Sequence, residues 1–398
     1  MQAPAHRTGV TTLVPYAAFS ASYFTHVGFF NPYLTLWLKD IGLSLLAISV
    51  LTSIQAASRL YAPYGWGLLA DKSGSRIRWI RFCSSIAFAS SIGLWWQGGF
   101  AWLFVVLFVM FTNTSAVMPM CEATLSQAVT RDGVFDVKRY GRVRVWGSVG
   151  FLVAVFAAGA WFEHFGMAYF PAWATITIGL VMLSAYRLPD IKETAHSHLA
   201  SASIWPIVRK PQVRWFFITL FFHVLSHIGI YVFFSLYCDY LGYSKIMIGA
   251  LWAISVIVEI AWFFSQAYWL KRFNLTTWLL VCAVTMALRT LLTAGAAEVL
   301  WILLIAQALH AITFAAHHTV CIALMSDYFP GPLRGRGQAL YTVIGYGLTG
   351  VLGALAGGYL STHFGLRSIY WVSLGISLAA SLSAWRLWFL HSRQPLSA

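Results

Sequence analysis

Charge is what this chain of 398 residues has least of. Only 10% of it is Asp, Glu, Lys or Arg, and just 12 residues are acidic. A soluble domain carries about 25% charged residues to cover its aqueous surface, so a water-soluble globule is excluded. Cysteine is scarce too. The five, Cys83, Cys121, Cys238, Cys282 and Cys321, are spread singly through apolar runs. That excludes a disulfide framework and a CxxC metal or redox pair. No HExxH, GxSxG or P-loop occurs, so neither an intramembrane enzyme nor an ATP-driven pump is expected. GYGLTG (345–350) has the form GxGxxG, but it begins inside an apolar run with no acidic residue about 20 positions later. With Gly353 and Gly357 it reads as small-residue helix packing.

What is abundant is apolar: 59% of residues are hydrophobic and 17% aromatic, with 19 Trp, and the mean hydropathy is +0.72. Runs of about 20 apolar residues, enough to cross a bilayer, recur near 13–38, 45–69, 79–97, 100–127, 143–162, 168–187, 214–238, 246–270, 275–294, 299–325, 338–362 and 367–389. These are twelve expected transmembrane helices. The opening MQAPAHRTG leads into a run too long for a signal-peptide core, so no cleavable leader is expected.

The net charge of +14 is distributed by side. With the N-terminus placed inside, 20 of the 26 Lys and Arg fall on inner connections and termini, among them Arg78, Arg131, Lys138, Arg139, Arg209 and Lys210. Lys39, Lys245 and Arg367 fall outside. The positive-inside rule then gives cytoplasmic N- and C-termini. The basic balance is topology, and nucleic-acid binding is excluded.

A fixed period runs through the chain. GLSLLAI (42–48) answers GYSKIMI (242–248), and EHFG (163–166) answers THFG (362–365). Two matches at nearly the same offset, close to half the length, imply duplication. The expected organisation is an N-terminal six-helix half (1–187), a cytoplasmic linker (188–213) and a C-terminal six-helix half (214–398). Parallel repeats of this kind place a substrate site between the halves, near the membrane midplane.

After the second span comes GLLADKSGSR (67–76). Gly67 and Gly74 permit a tight turn and close helix approach, and Asp71 stands among Lys72, Arg76 and Arg78. The pattern G-x-x-A-D-K-x-G-x-R in a twelve-span duplicated chain resembles the signature loop of the major facilitator superfamily. In that family the loop belongs to the gating interface, which implies gating roles for Gly67, Asp71, Lys72, Gly74 and Arg76. The corresponding LKRFN (270–274) keeps the basic pair but lacks glycine and aspartate. RYGRVRVWGSVGF (139–151), HIGIY (227–231), GYSKIMIGALW (242–252), VIVEI (256–260), ALHAITF (308–314) and GRGQALYTVIGYG (335–347) narrow the resemblance to the phenylpropionate permease family. That family is related to the lactose permease group of proton symporters. The resemblance covers essentially the whole chain. It implies the major facilitator fold, all-α with two pseudo-symmetric six-helix halves.

Few ionisable residues lie inside spans: Glu122, Glu259, Arg59 and Arg289, with Arg144 entering the fifth. Four such residues would together cost on the order of 10–14 kcal/mol facing lipid, so they must face one another or a wet cavity. Glu122 and Arg144 lie on adjacent antiparallel spans joined by a short loop and can meet across the hairpin. The resemblance to lactose permease implies that this pair binds substrate, with a salt bridge stitching two spans as the alternative. For the second half, Glu259 is the expected proton carrier, modulated by Arg289 and His310. A carboxylate in an apolar, partly wet site takes up a proton more readily, and a neighbouring Arg opposes that. Lactose permease has a Glu three residues after its span-ten histidine. Here that position is Thr313, so coupling by that pair does not carry over.

ALHAITFAAHH (308–318) holds three histidines. His310 and His317 are expected on one helix face, but about 10.5 Å apart along the axis, too far to share a zinc ion. His310 is assigned to the site and His318 is a further candidate, while His317 and His223 are expected to be packed. His227 matches a family position. Three buried Arg against two Glu leave a mildly positive site that suits a carboxylate. Arg59, Arg144, Glu122, His227 and Tyr231 are the expected substrate contacts, and Trp252, Tyr231 and Phe314 could stack on a ring.

The expectation is therefore a secondary transporter and not an enzyme. It would be a proton symporter in the bacterial inner membrane, acting as a monomer on a small molecule by alternating access. An aromatic carboxylate such as 3-phenylpropionate is favoured by the resemblance. A sugar or oligosaccharide is the alternative, and an exporter comes behind both. No cofactor or metal is expected, with protons as the coupling ion.

Overall fold

A computed structural model describes residues 13–96, 98–131, 134–190, 203–330 and 333–392. The all-α expectation is met. Twelve long helical segments run through the described residues: α1 Val14–Asp40, α2 Leu45–Ser73, α3 Arg76–Ile92, α4 Gly99–Val129, α5 Val137–Phe165, α6 Phe170–Tyr186, α7 Pro211–Tyr240, α8 Lys245–Trp269, α9 Leu275–Ala296, α10 Leu300–Tyr328, α11 Arg334–Phe364 and α12 Leu366–Ser392. The only strands among them are a two-residue ribbon, Thr130–Arg131 against Val134–Phe135, between α4 and α5.

Ten of the twelve are long and apolar enough to cross a membrane. The other two are α3, with only 17 residues, and α1, with 27; α6 reaches spanning length with the turn Met167–Tyr169 that precedes it. Tyr, Ser, His26 and Asn31 dilute the hydropathy of α1, so length and composition alone do not establish all twelve spans. Of the expected linker 188–213, residues 191–202 lie outside the described residues. Trp205–Val208 form one helical turn, and Pro211 opens α7 where its missing N–H is harmless.

By packing, the chain falls into two compact units. One contains Met1–Asn31 and Tyr61–Ser197, the other Pro32–Leu60 and His198–Ala398. In the first, α5 lies against the start of α1. A Cβ built on Gly150 would stand 2.3 Å from the Ala21 carbonyl oxygen, so only glycine lets the two backbones approach this closely. Gly150→Ala is expected to cost about 3 kcal/mol through overpacking. Thermal unfolding in detergent checks this, with Gly67→Ala as the control, because a Cβ there meets nothing within 4 Å. In the second unit, Gly358 of α11 packs on Ser49 of α2, with a built Cβ only 2.0 Å from the Ser49 hydroxyl oxygen. Gly353 and Gly357 of α11 likewise pack closely, on Ile228 and Phe233 of α7.

The repeat appears as matching turns. After α1, Gly42 (φ +87°) is followed by Ser44, whose hydroxyl accepts from the Ala47 N–H at 3.2 Å. After α7, Gly242 (φ +85°) is followed by Ser244, which accepts from Met247 N–H at 3.2 Å. Positive φ calls for glycine, and the serine caps the next helix. In the second unit Lys39 Nζ meets Asp239 Oδ2 at 2.9 Å, a bridge between positions 200 apart in the sequence. Likewise His164 bonds the Ala160 carbonyl and His363 the Tyr359 carbonyl, both at 2.9 Å. Each is followed by a positive-φ glycine, Gly166 or Gly365.

Candidate functional site

Arg289, on α9, is fully buried. A guanidinium out of water needs acceptors for its N–H groups, and two helices, α7 and α10, supply them. Its Nη1 lies 3.1 Å from His227 Nε2 on α7, 3.1 Å from His310 Nδ1 on α10 and 3.0 Å from Thr313 Oγ1. Nη2 donates to Gln307 Oε1 at 3.0 Å, and the same oxygen accepts from the Ser255 hydroxyl of α8 at 2.7 Å. All these acceptors are neutral. Arg289 Nε and Gln307 Nε2 have no hydrogen-bond partner among the described residues.

Arginine only donates, so these contacts fix the histidines. Nη1 has two hydrogens for three neighbours, so they are shared. His227 Nε2 and His310 Nδ1 each turn a lone pair toward Nη1, which puts the protons of the neutral rings on Nδ1 and Nε2 respectively. Neither accepting nitrogen can hold a proton while its bond to Arg289 stands. His310 Nε2 then faces Glu259 of α8 with 3.6 Å to Oε2. That is beyond hydrogen-bond reach but close enough for charge to be felt.

A bulge in α10 shapes this wall. Ala311–Ala316 form a π-helical turn, a feature that recurs at functional sites. His310 and His317 both meet α7, two turns apart. His310 stands beside His227 (ring centroids 6.2 Å), and His317 stacks flat on His223 (3.7 Å, 9°). His318 points elsewhere, its Nδ1 3.2 Å from the Tyr341 hydroxyl of α11. Phe314 lies parallel to the His310 ring at 4.9 Å, and Tyr231 parallel to His227 at 5.4 Å. Trp252 does not appear among these contacts. Its indole donates to Ser235 at 3.0 Å.

In the other unit, Arg144 Nη1 of α5 and Glu122 Oε1 of α4 form an ion pair at 2.8 Å, each side chain about one-third exposed. The Arg144 guanidinium lies over the Phe24 ring, 5.0 Å from its centroid. The hairpin geometry therefore brings these two residues together. Arg59 is exposed on α2, in the stretch that packs with the second unit.

The loop after α2 is tied down locally. Arg76 Nη2 pairs with Asp71 Oδ1 at 2.7 Å, and Gly74 takes φ +66°. The Ser75 hydroxyl donates to Asp190 at 3.1 Å, and Arg81 Nη2 to the Leu188 carbonyl at 2.8 Å. Lys72 is exposed and Gly67 half-buried. Among the described residues no group of three His, Cys, Asp or Glu side chains could hold a metal ion.

Gln307 and Ser255 were not read from the sequence as site residues. The signal was spacing: Gln307 precedes His310 by three and Ser255 precedes Glu259 by four, so each shares its neighbour's helix face.

Buried charges held between long apolar helices define a membrane transporter, and the family comparison agrees. The chain belongs to the MFS_1 like family, whose model matches residues 13–372. It is an integral, multi-pass secondary transporter, not an enzyme.

Among its relatives is a protein named as a probable 3-phenylpropionic acid transporter of Escherichia coli (strain K12). The two are 25% identical over 364 residues, 90% of this chain and 93% of that one. The maltose permease of Geobacillus stearothermophilus is 24% identical over 342 residues, 85% of each chain. In fold, the chain resembles the crystal structure of the nucleoside transporter NupG. That match has a TM-score of 0.81 at 15% identity and covers 95% of this chain and 99% of that one.

Proposed function

We propose that this chain is a proton symporter for a small aromatic carboxylate such as 3-phenylpropionate. It works by alternating access as a monomer in the cytoplasmic membrane, with both termini inside, and is built as two six-helix halves, 1–187 and 214–398, joined by the linker 188–213. The observation that carries the reading is the wiring of Arg289. Its N–H groups face one nitrogen of His227 and one of His310, and the far nitrogen of His310 stands 3.6 Å from the Glu259 carboxylate, at the edge of this network. Glu259 is the proton carrier in this account. His310 Nε2–H aims at its ionised form, and Arg289 sets how readily it is discharged. His318, joined to Tyr341, is a secondary relay position.

Glu122 and Arg144 bind the substrate, Arg144 meeting the carboxylate and Arg59 adding positive charge. Tyr231 and His227 present flat rings to an aromatic group. The loop from Gly67 to Arg76 gates, its Asp71–Arg76 bridge and the Gly74 turn setting the shape. Protons are the only coupling ion and no cofactor takes part. The name of the Escherichia coli relative supports an aromatic acid, and that of the maltose permease keeps a sugar as the second reading. The test is uptake into proteoliposomes carrying an inward proton gradient, with labelled 3-phenylpropionate and maltose side by side. Gradient-dependent accumulation of the aromatic acid alone is expected. Accumulation of maltose alone would replace the substrate assignment.

A further inference from the structure

His223 lies outside the network just described, yet it is only 1% exposed. Its Nε2 stands 2.8 Å from the backbone carbonyl oxygen of Thr313. A carbonyl only accepts, so Nε2 carries the proton and Nδ1 is bare. Nδ1 has no partner among the described residues. One face of the ring is covered by His317, which is itself 2% exposed and has its Nε2 3.4 Å from Cys321 Sγ.

The bond falls at a special carbonyl. In a regular α-helix the N–H of His317 would serve Thr313, four residues back. Here it goes to the carbonyls of Ile312 and Phe314, skipping Thr313. His223 supplies a donor to the carbonyl that the π-turn passes over. The same Thr313 accepts from Arg289 through its hydroxyl at 3.0 Å, and His310, the residue preceding the turn, accepts from Arg289 as well.

We propose that His223 is a positioning residue. Its Nε2–H holds the Thr313 carbonyl, keeps the π-turn in place, and so sets Thr313 Oγ1 and His310 Nδ1 on the Arg289 guanidinium. It touches neither substrate nor the carried proton. The consequence for transport rests on the symport reading above, while the structural claim does not.

The test uses full-length His223→Gln, His223→Asn and His223→Leu in nanodiscs. Glutamine carries an amide N–H at the reach of Nε2, and asparagine at the reach of Nδ1. The first readout needs no substrate: nitrogen NMR of labelled histidine, following His310. In the wild type and in His223→Gln, His310 is expected as a single tautomer with Nδ1 bare. In His223→Asn and His223→Leu it becomes a mixture, because Arg289 no longer holds it. The second readout is proton-driven uptake. His223→Leu and His223→Asn should lose about 10- to 100-fold in kcat with KM little changed, and His223→Gln should restore the rate. An unchanged His310 tautomer in His223→Leu would overturn the proposal, and so would a Gln variant as impaired as Leu in both readouts. If the wild type carries no aromatic acid, the symport reading fails alone, and the tautomer comparison still decides the role of His223.

Discussion

Arg289→Met is expected to abolish transport while leaving the protein folded. Two effects oppose each other in stability. The substitution removes the donor for four neutral acceptors, His227, His310, Thr313 and Gln307, at about 1–3 kcal/mol for each one left wholly unpaired. It also removes a fully buried guanidinium whose desolvation is itself worth several kcal/mol. Gln307 keeps the Ser255 hydroxyl, and each histidine can shift its proton to the nitrogen that Arg289 had occupied. The two effects therefore nearly cancel, and the unfolding temperature in detergent should move by only a few degrees. Function has no such compensation. Without Arg289 the lone pairs of His227 and His310 open to protons and nothing regulates Glu259, so uptake should fall by about 100-fold or more. Arg289→Lys should fall nearly as far, because one ammonium cannot span acceptors on three sides as a guanidinium does. Lysine restoring wild-type uptake would show that charge alone is required and the wiring is not.

The second large effect concerns Glu122 and Arg144. Each is about one-third exposed, so their ion pair contributes only about 0–1 kcal/mol to stability. Glu122→Gln and Arg144→Gln should both unfold close to wild type, yet each should lower uptake by about 100-fold through loss of substrate positioning. The double variant separates a substrate grip from a structural stitch. If the pair merely joins α4 to α5, removing both charges relieves the cost of removing one, and uptake returns. In the substrate-binding account the double variant stays as inactive as the singles. Uptake per reconstituted protein, with thermal unfolding beside it, reads both outcomes.

What the sequence made legible follows from what is local or periodic. The repeat was visible because Gly42 and Gly242 each require a positive φ and each is followed by a capping serine. Glu122 and Arg144 could be paired because a short connection between antiparallel helices leaves few other arrangements. The buried arginine, glutamate and histidines drew notice because charge is so rare in this chain. Other features were hidden for physical reasons. A π-turn adds residues to a turn without any residue type to announce it, so the skipped Thr313 carbonyl and its donor His223 could not be foreseen. His223 was set down as packed, and burial alone would support no more. Gln307 and Ser255 are neutral, and neutral residues draw no notice until an arginine is seen to need acceptors. That Gly150 packs on α1 depends on tertiary arrangement, which no local pattern announces.

The central claim is that substrate and proton move together through Glu259. The most direct measurement is the fluorescence of pyranine trapped in proteoliposomes when 3-phenylpropionate is added outside, for wild type and Glu259→Gln. Protein-free liposomes must run alongside, because weak acids also carry protons by diffusion. The account predicts acidification by the wild type beyond that background, and background alone for Glu259→Gln. Equal protein-dependent acidification by Glu259→Gln would contradict it and move the proton to another group.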